Sequence, residues 1–280
     1  MKRIKSFDNT HPVIYLIATP IGNLGEFSPR AIQIIEEMDY LACEDTRNTL
    51  DLLRKFNIEK KCISLREHNE VEASKHVIED VLAGKKVAYM SDAGYPAISD
   101  PGNILVKLAN EQDIAISVVS GASAFINALV SSNLNTDHFY FHGFLPAKEG
   151  EARKELELLK DKKETLIFYE SPHRIEDTLK VLLDELGDRK IVLERELTKL
   201  NEEKIYGQIS ELLSLDFTTI KGEIVLVVEG KKEEEISDSE IIEKINYFFN
   251  KGIDKRTTTD LVSELYNIKK NRIKDIIIKM

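Results

Sequence analysis

Val87-Ala88-Tyr89-Met90-Ser91-Asp92-Ala93-Gly94-Tyr95-Pro96-Ala97-Ile98-Ser99-Asp100-Pro101-Gly102 decides how this chain folds. The first four residues form an apolar run of strand length. Ile104, Leu105, Leu108 and Ala109 then recur at helical spacing. Ser91 to Gly102 supplies twelve loop residues rich in Gly, Pro, Asp and Ser. An ordinary strand-to-helix connection takes about 2–6. A loop this long is kept for more than connection. In open α/β sheets ligands sit beyond the carboxyl ends of the strands, which is where this loop must lie.

Working outward, the same alternation repeats. Strand-like runs are Val13–Ala18, Tyr40–Cys43, Lys61–Ser64, Val87–Ser91 and Ala115–Val119. Helical patterns fill the gaps at Pro29–Met38, Thr46–Phe56, Glu70–Ala83, Pro101–Glu111 and Ser123–Ser131. Ser28 with Pro29, and Asp100 with Pro101, read as N-cap and first helical residue. This alternation predicts a mostly parallel sheet with helices on both faces. Asn133 to Asp137 reads as a joint. Beyond it, strands at Phe139–Phe144, Thr165–Tyr169, Lys190–Glu194, Glu203–Gly207 and Glu223–Val228 mix with helices at Glu149–Leu159 and His173–Leu186. That predicts a second α/β domain with parallel and antiparallel pairs. Lys231 to Ser237 reads as a charged linker, and Asp238–Asn250, Thr257–Leu265 and Lys269–Lys279 as three short helices. The expected organisation is an extension over 1–12, α/β domains over 13–134 and 135–230, a linker over 231–237 and a helical appendage over 238–280.

Composition sets limits. The 280 residues suffice for two domains and a sizeable core. No apolar stretch nears the roughly 20 residues that span a bilayer. Met1 to Pro12 carries basic residues without an apolar segment, which reads against a signal peptide. Cys43 and Cys62 read as reduced thiols of a cytoplasmic protein. A net charge of −10 argues against a general nucleic-acid coat protein. Lys251 to Met280 opposes that sign, with eight Lys or Arg against four Asp or Glu.

Two further loops join the first at the same sheet edge. Thr19-Pro20-Ile21-Gly22-Asn23-Leu24-Gly25 lacks the G-x-G-x-x-G spacing, and the chain has no Walker A sequence, so neither standard phosphate cradle is present. It is either a plain turn or a backbone wall of a pocket. Ser120-Gly121-Ala122-Ser123-Ala124 lets a ligand approach the backbone, or simply caps a helix. His138 and His142 stand about 13 Å apart on a strand and cannot share a metal ion. Phe168 to Arg174 and Arg195 to Lys199 concentrate polar chemistry at strand ends. Each reads as caps and ion pairs or as part of a site.

Together these stretches carry a resemblance. Thr-Pro-Ile-Gly-Asn-Leu-Gly at 19–25, Ala-Cys-Glu-Asp-Thr-Arg at 42–47, Glu-His-Asn-Glu at 67–70 and Ser-Asp-Ala-Gly at 91–94 are family signatures. So are Ile-Ser-Asp-Pro-Gly at 98–102, Gly-Phe-Leu-Pro at 143–146, Phe-Tyr-Glu-Ser-Pro-His-Arg at 168–174 and Arg-Glu-Leu-Thr-Lys at 195–199. In this order they resemble the ribosomal RNA small subunit methyltransferase I family of the tetrapyrrole methylase superfamily, from about Ile14 to Gly230. The chain departs at Ser120, where the family has Pro, at Tyr95, where it has Thr, and at Asn201, where it has an aromatic residue.

The resemblance implies a homodimeric two-domain methyltransferase that uses S-adenosylmethionine, needs no metal or membrane, and works in the cytoplasm. Its substrate would be the 2′-hydroxyl of a cytidine ribose in the decoding centre of 16S ribosomal RNA, within the small ribosomal subunit. The cofactor would lie between the domains. Ser91, Asp92, Ala93 and Gly94 would be its floor, with Ile98 on an apolar part and Pro20 in the first loop. Ser120, Gly121 and Ala122 would form the next wall. Tyr169, Leu197 and Thr198, then Gly222, Glu223 and Ile224, would come from the second domain. Glu170 or Lys199 would take the hydroxyl proton, given a raised pKa for the first or a lowered one for the second. RNA would meet Lys148, Arg153 and Arg174, and in the tail Lys269, Lys270, Arg272 and Lys274. The rival readings are a small-molecule, tetrapyrrole-like methylase on the same fold and a ribosome-binding module without catalysis.

Overall fold

A computed structural model describes residues 3–7, 11–232 and 236–280. The readings of the N-terminal extension and the linker therefore fall partly outside the described residues. Backbone packing divides the chain into two units, Met1–Lys231 and Lys232–Met280.

The first unit contains two five-stranded sheets. One sheet comprises β1 (Val13–Ile17), β2 (Tyr40–Cys43), β3 (Cys62–Ser64), β4 (Val87–Met90) and β5 (Ala115–Val119). Its order is β3-β2-β4-β1-β5, and every pair is parallel. Both faces are covered, which is why the strands read as apolar runs without alternation. Ile17, Leu41, Ala88 and Met90 pack on α1 (Pro29–Glu37) and α2 (Thr46–Lys55). Ile14, Leu16, Ala42 and Tyr89 pack on α3 (Glu70–Leu82) and α4 (Asn103–Glu111).

The two expected caps fare differently. Ser28 Oγ accepts the Ala31 N–H at 3.1 Å and Pro29 opens α1, as the sequence predicts. Asp100 and Pro101 do not start α4, which begins at Asn103 after Gly102. A carboxylate from another helix takes the cap's place. Glu70 Oε1 accepts the N–H of Gly102 at 2.8 Å and that of Ile104 at 2.9 Å. The Asp100 side chain is thereby left in the loop.

After α5 (Ala124–Ser131) the second sheet comprises β6 (Phe139–Phe144), β7 (Thr165–Glu170), β8 (Lys190–Arg195), β9 (Glu203–Gln208) and β10 (Ile224–Val228). Its order is β6-β7-β10-β8-β9; β6 and β7 are parallel and the other pairs antiparallel. Leu166, Phe168, Leu193 and Leu226 face α6 (Glu149–Leu159) and α7 (Ile175–Leu186). Between β9 and β10, the short α8 (Ile209–Leu212) joins the same core. Ile167, Val225 and Val227 face the other way and receive Ala128 and Leu129 of α5. The expected boundary at 134/135 thus falls between α5 and β6, yet α5 is packed on the second sheet. Ser131 Oγ at its end donates to the fully buried Glu194 carboxylate at 2.8 Å. Burial holds that carboxyl above its ordinary range, and the Ser131 hydroxyl opposes the shift.

In the second unit, α9 (Asp238–Asn250), α10 (Lys255–Tyr266) and α11 (Lys270–Lys279) bury Ile241, Ile245, Val262, Ile273 and Ile276. Asp254 accepts the N–H groups of Arg256 and Thr257 and so starts α10 two residues ahead of the sequence reading. Among the described residues no helix is long and apolar enough to cross a membrane. Cys43 and Cys62 are both free thiols.

Glu70→Ala leaves two N–H groups at the start of α4 without their acceptor. The expected loss is about 1–2 kcal/mol of stability, read from the urea midpoint. An unchanged midpoint would show that water satisfies those groups equally well.

Candidate active site

The carboxyl ends of β1, β4 and β5 deliver the three loops to one place. Parallel strands cannot themselves meet end to end, but the loop after β4 doubles back. Thr19 N–H donates to the Gly94 carbonyl at 2.9 Å and Gly94 N–H to the Thr19 carbonyl at 3.1 Å. Gly94 has φ 76, a conformation glycine adopts at no steric cost. Gly121 passes behind β1 so closely that a Cβ there would stand 3.0 Å from Ala18 Cβ. Tyr95, where the family has Thr, accepts the Gly121 N–H on its hydroxyl at 3.2 Å and ties two of the loops together.

The loops and the second sheet line an open cleft of about 200 Å³. Six expected cofactor residues line it: Ala93, Gly94, Ile98, Tyr169, Glu223 and Ile224. Phe125 and Phe144 add rings, with Phe144 edge-on to Tyr169 at 5.5 Å between centroids. Pro20, Ser91 and Asp92 line a neighbouring polar pocket instead, with Asn48 and Lys55. There the Asp92 carboxylate accepts Asn48 Nδ2 at 2.7 Å and the Asp45 N–H at 3.2 Å. Other expected residues hold the walls from behind. The loop of Ser120, Gly121 and Ala122 is fixed by the Ala18 and Tyr95 contacts. Leu197 is buried beside Ile21 and Val225. Thr198 Oγ1 accepts the Asn23 N–H at 3.1 Å, and Gly222, at φ 85, lies against Glu196.

The two candidate bases are both engaged. Glu170 is 3% exposed; it accepts the Ser171 N–H at 2.7 Å and the Thr178 hydroxyl at 2.5 Å, with Arg174 Nε at 3.5 Å. Its carboxylate fastens the turn from β7 into α7. Lys199 Nζ lies 2.8 Å from Glu196 and 2.9 Å from Glu223. Burial pulls its pKa down, but the two carboxylates outweigh burial and raise it. In this arrangement Lys199 is an ammonium and has no lone pair to offer.

The candidate RNA contacts divide in the same way. Arg153 is held by Glu149, Asp184 and Glu185, and Arg174 donates to the carbonyls of Leu145 and Pro146. Lys148 pairs with Glu151 at 3.1 Å on an open surface. In the second unit Lys270 pairs with Asp260 and Arg272 with Asp238, while Lys269 and Lys274 are exposed and stand outside these pairs.

Sequence reading missed Asp100. It lines the cleft, half-buried, between Ala97 and Gly102, whose φ angles are 65 and 132. Ser99 beside it has φ 60. Ala97 N–H and Tyr89 OH both donate to the Pro101 carbonyl, at 3.1 and 3.0 Å, and pin this strained turn. Burial pushes the Asp100 pKa up to about 7; the charges of Glu44 and Asp92 add to the shift and the Ser91 hydroxyl opposes it. Burial raises Glu44 as well, with Asp92 and Asp45 adding to it and the Asp92 N–H working against it. The Asp-Pro pair had the form of a helix cap, and only the distant Glu70 shows that it is not one. Among the described residues no group of three or more His, Cys, Asp or Glu is placed to hold a metal ion.

Residues 13–213 match the tetrapyrrole (corrin/porphyrin) methylases, and the chain belongs to that family. Its relatives are more particular. It is 47% identical over 240 residues to the ribosomal RNA small subunit methyltransferase I of Streptococcus pyogenes serotype M1, covering 85% of this chain and 82% of that protein. The protein of the same name from Bacillus subtilis is 39% identical over 271 residues, covering 94% and 93%. Among solved structures, diphthine synthase superposes with a TM-score of 0.60 at 14% identity, over 79% of this chain and 91% of its own. The methyltransferase CobJ gives 0.59 at 14% identity, over 81% and 98%. At such identities the likeness concerns the fold alone.

The Asp100 carboxyl links stability to pH. Its folded pKa of about 7 lies above the ordinary 3.8. The stability it confers as a neutral acid is complete below about 3.8 and is lost as pH rises through about 7. At about 1.4 kcal/mol per pH unit the full effect is near 4 kcal/mol, and solvent screening at a half-exposed site reduces it to about 1–2. Asp100→Asn is therefore expected to be about 1–2 kcal/mol more stable than wild type at pH near 8 and equal to it at pH near 4, by urea denaturation. The same increment at both pH values would sink the assignment.

Proposed function

We propose that this protein transfers a methyl group from S-adenosylmethionine to the 2′-hydroxyl of a cytidine ribose in the decoding centre of 16S ribosomal RNA. It would act on the small ribosomal subunit in the cytoplasm, as a homodimer. The observation that carries this reading is the identity with relatives named as ribosomal RNA small subunit methyltransferase I over 82% and 93% of their length. The fold by itself also serves methylases of other substrates.

The cleft suits the cofactor. Phe125, Phe144, Tyr169, Ile98 and Ile224 offer apolar and ring surface, and the carboxyls of Asp100, Glu170 and Glu223 add polar groups. That combination matches a molecule with a flat purine and a positive sulfonium. Gly94 lets such a ligand lie against the backbone. When bound, S-adenosylmethionine supplies an electrophilic methyl carbon. The chain must then fix the ribose oxygen in line with that carbon, and orientation supplies up to about 7–11 kcal/mol at best. It must also exclude water and receive one proton.

RNA would contact the exposed lysines, Lys269 and Lys274 in the second unit and Lys148 in the first, where it gives up its open-surface pair with Glu151. Arg153, Arg174, Lys270 and Arg272 have carboxylate or carbonyl partners to give up first.

The decisive experiment uses small subunits from cells lacking the gene, a labelled donor and mass spectrometry of nuclease fragments. One cytidine methylated on its ribose is expected. Methylation on a base, or of a porphyrin-like ring instead of RNA, overturns the reading. Binding to the subunit without transfer favours the non-catalytic alternative. Phe144→Ala should weaken S-adenosylhomocysteine binding by about fivefold, the worth of one exposed ring contact, measured by calorimetry. Lys269→Glu combined with Lys274→Glu should weaken subunit binding roughly threefold to tenfold and flatten its salt dependence, with affinity for S-adenosylhomocysteine unchanged.

A further inference from the structure

α9 carries an aromatic ring that its own unit does not cover. The apolar stripe of this helix, Ile241, Ile245 and Phe248, faces the core of the second unit. Tyr247 lies off that stripe and is 53% exposed. Its ring is nevertheless held in place. Phe248, packed against the core, meets it edge-on at 5.5 Å between centroids and 70° between planes. Lys244, three residues before it, and Lys251, four after, share its side of the helix. Their ammonium groups stand 5.3 and 5.9 Å from the Tyr247 centroid. Among the described residues neither lysine forms an ion pair. Lys270 and Arg272 of the same unit are by contrast taken by Asp260 and Asp238.

Little around the ring repels an anion. On α9, Asp238 is paired with Arg272, and Glu240 accepts the N–H and the hydroxyl of Ser237. Glu243, four residues before Tyr247, is the remaining carboxylate of this helix. The carbonyls at the helix end already have donors. The N–H groups of Lys251 and Ile253 donate to the Phe248 carbonyl at 3.1 Å each, and that of Gly252 to the Phe249 carbonyl at 2.9 Å.

We infer that Tyr247 stacks an unpaired base of RNA while Lys244 and Lys251 hold the phosphates beside it. The inference rests on the function proposed above for the identity of the partner, and it adds a contact on a different helix from Lys269 and Lys274. Each base has a π face, so a ring flanked by cations takes bases without regard to sequence. Bases inside an RNA duplex are stacked on one another and lie beyond the reach of a ring on the outside of a helix. Those of a loop or bulge do not. The lysines near the ring are no obstacle. A stacked base is worth more than an exposed cation contact, and an ammonium displaced from the ring can turn to the adjoining phosphate. An acidic peptide would use the lysines and leave the ring idle.

The chain has no tryptophan, so Tyr247→Trp installs a single fluorescent reporter at the site in the full-length protein. Its emission should be quenched as single-stranded oligouridylate is added at low salt. The same strand paired with oligoadenylate should leave it unchanged. In that background, Lys244→Glu with Lys251→Glu should weaken oligouridylate binding and flatten the log–log salt slope by about 1.4, at about 0.7 per phosphate contact on a single strand. On small subunits, Tyr247→Ala should lose about fivefold in affinity, and Tyr247→Phe, which keeps the ring, should match wild type. Both should bind S-adenosylhomocysteine as wild type does. Quenching by the duplex or by polyglutamate as strong as that by the single strand overturns the site. So does a Tyr247→Ala variant that binds subunits like wild type. A reporter that is quenched by single-stranded RNA in a protein that methylates no subunit sinks the proposed function and leaves the site standing. An active wild type with a silent reporter sinks the site alone.

Discussion

Two backbone hydrogen bonds between Thr19 and Gly94 shape the first unit's functional edge. β1 and β4 run side by side and parallel, so chains leaving them would ordinarily diverge into separate helices. The antiparallel bridge just beyond their ends turns the second loop back across the first. The residues that follow reach the second sheet, where Ser99 lies close against Gly143. This segment lines one side of the cleft and the second sheet the other. Because the bridge is backbone to backbone, it depends on little except a small residue at 94 with positive φ.

The halves of the first unit are knitted at three further points. α5 leaves the first sheet but buries its apolar face on β7 and β10. Asn23 donates its N–H to Thr198. Lys199 crosses over Gly22, where any side chain would collide with it, to reach Glu196 and Glu223. Such ties limit relative motion of the sheets to what side chains permit. The charges they use are internal to the protein. The cleft is lined by three carboxyls, of which Glu170 and Glu223 have a cation of the chain beside them.

Sequence patterning recovered the strands almost residue for residue, because buried parallel strands such as Val87–Met90 are continuous apolar runs bounded by turn residues. It failed where the deciding partner was far along the chain. Asp100–Pro101 has the chemistry of a cap, and only Glu70, some thirty positions earlier, shows that α4 is capped otherwise. Arg174 reads as a phosphate ligand until the Leu145 and Pro146 carbonyls are seen under it. α5 reads as part of the first half because its own residues do not reveal which sheet covers them. Local rules saw each side chain's capacity; folding decided which capacities were spent.

That last distinction separates structural carboxylates from functional ones here. Glu194 is fully buried, and the chain brings it the Ser131 hydroxyl and Lys204 at 3.8 Å. Glu170 receives an N–H and a hydroxyl, with Arg174 nearby. Glu70 receives two N–H groups. Each of these has at least one donor from the chain at hydrogen-bond distance, as expected of a charge that serves the fold. Asp100 breaks the pattern. It lines the cleft within reach of the charges of Glu44 and Asp92, with the Ser91 hydroxyl alone opposing them. A fold selected for stability alone would place an amide or an apolar residue there, since like charges at partial burial destabilise. The carboxyl persists at a cost to the folded state, and the compensation must come from something that enters the cleft.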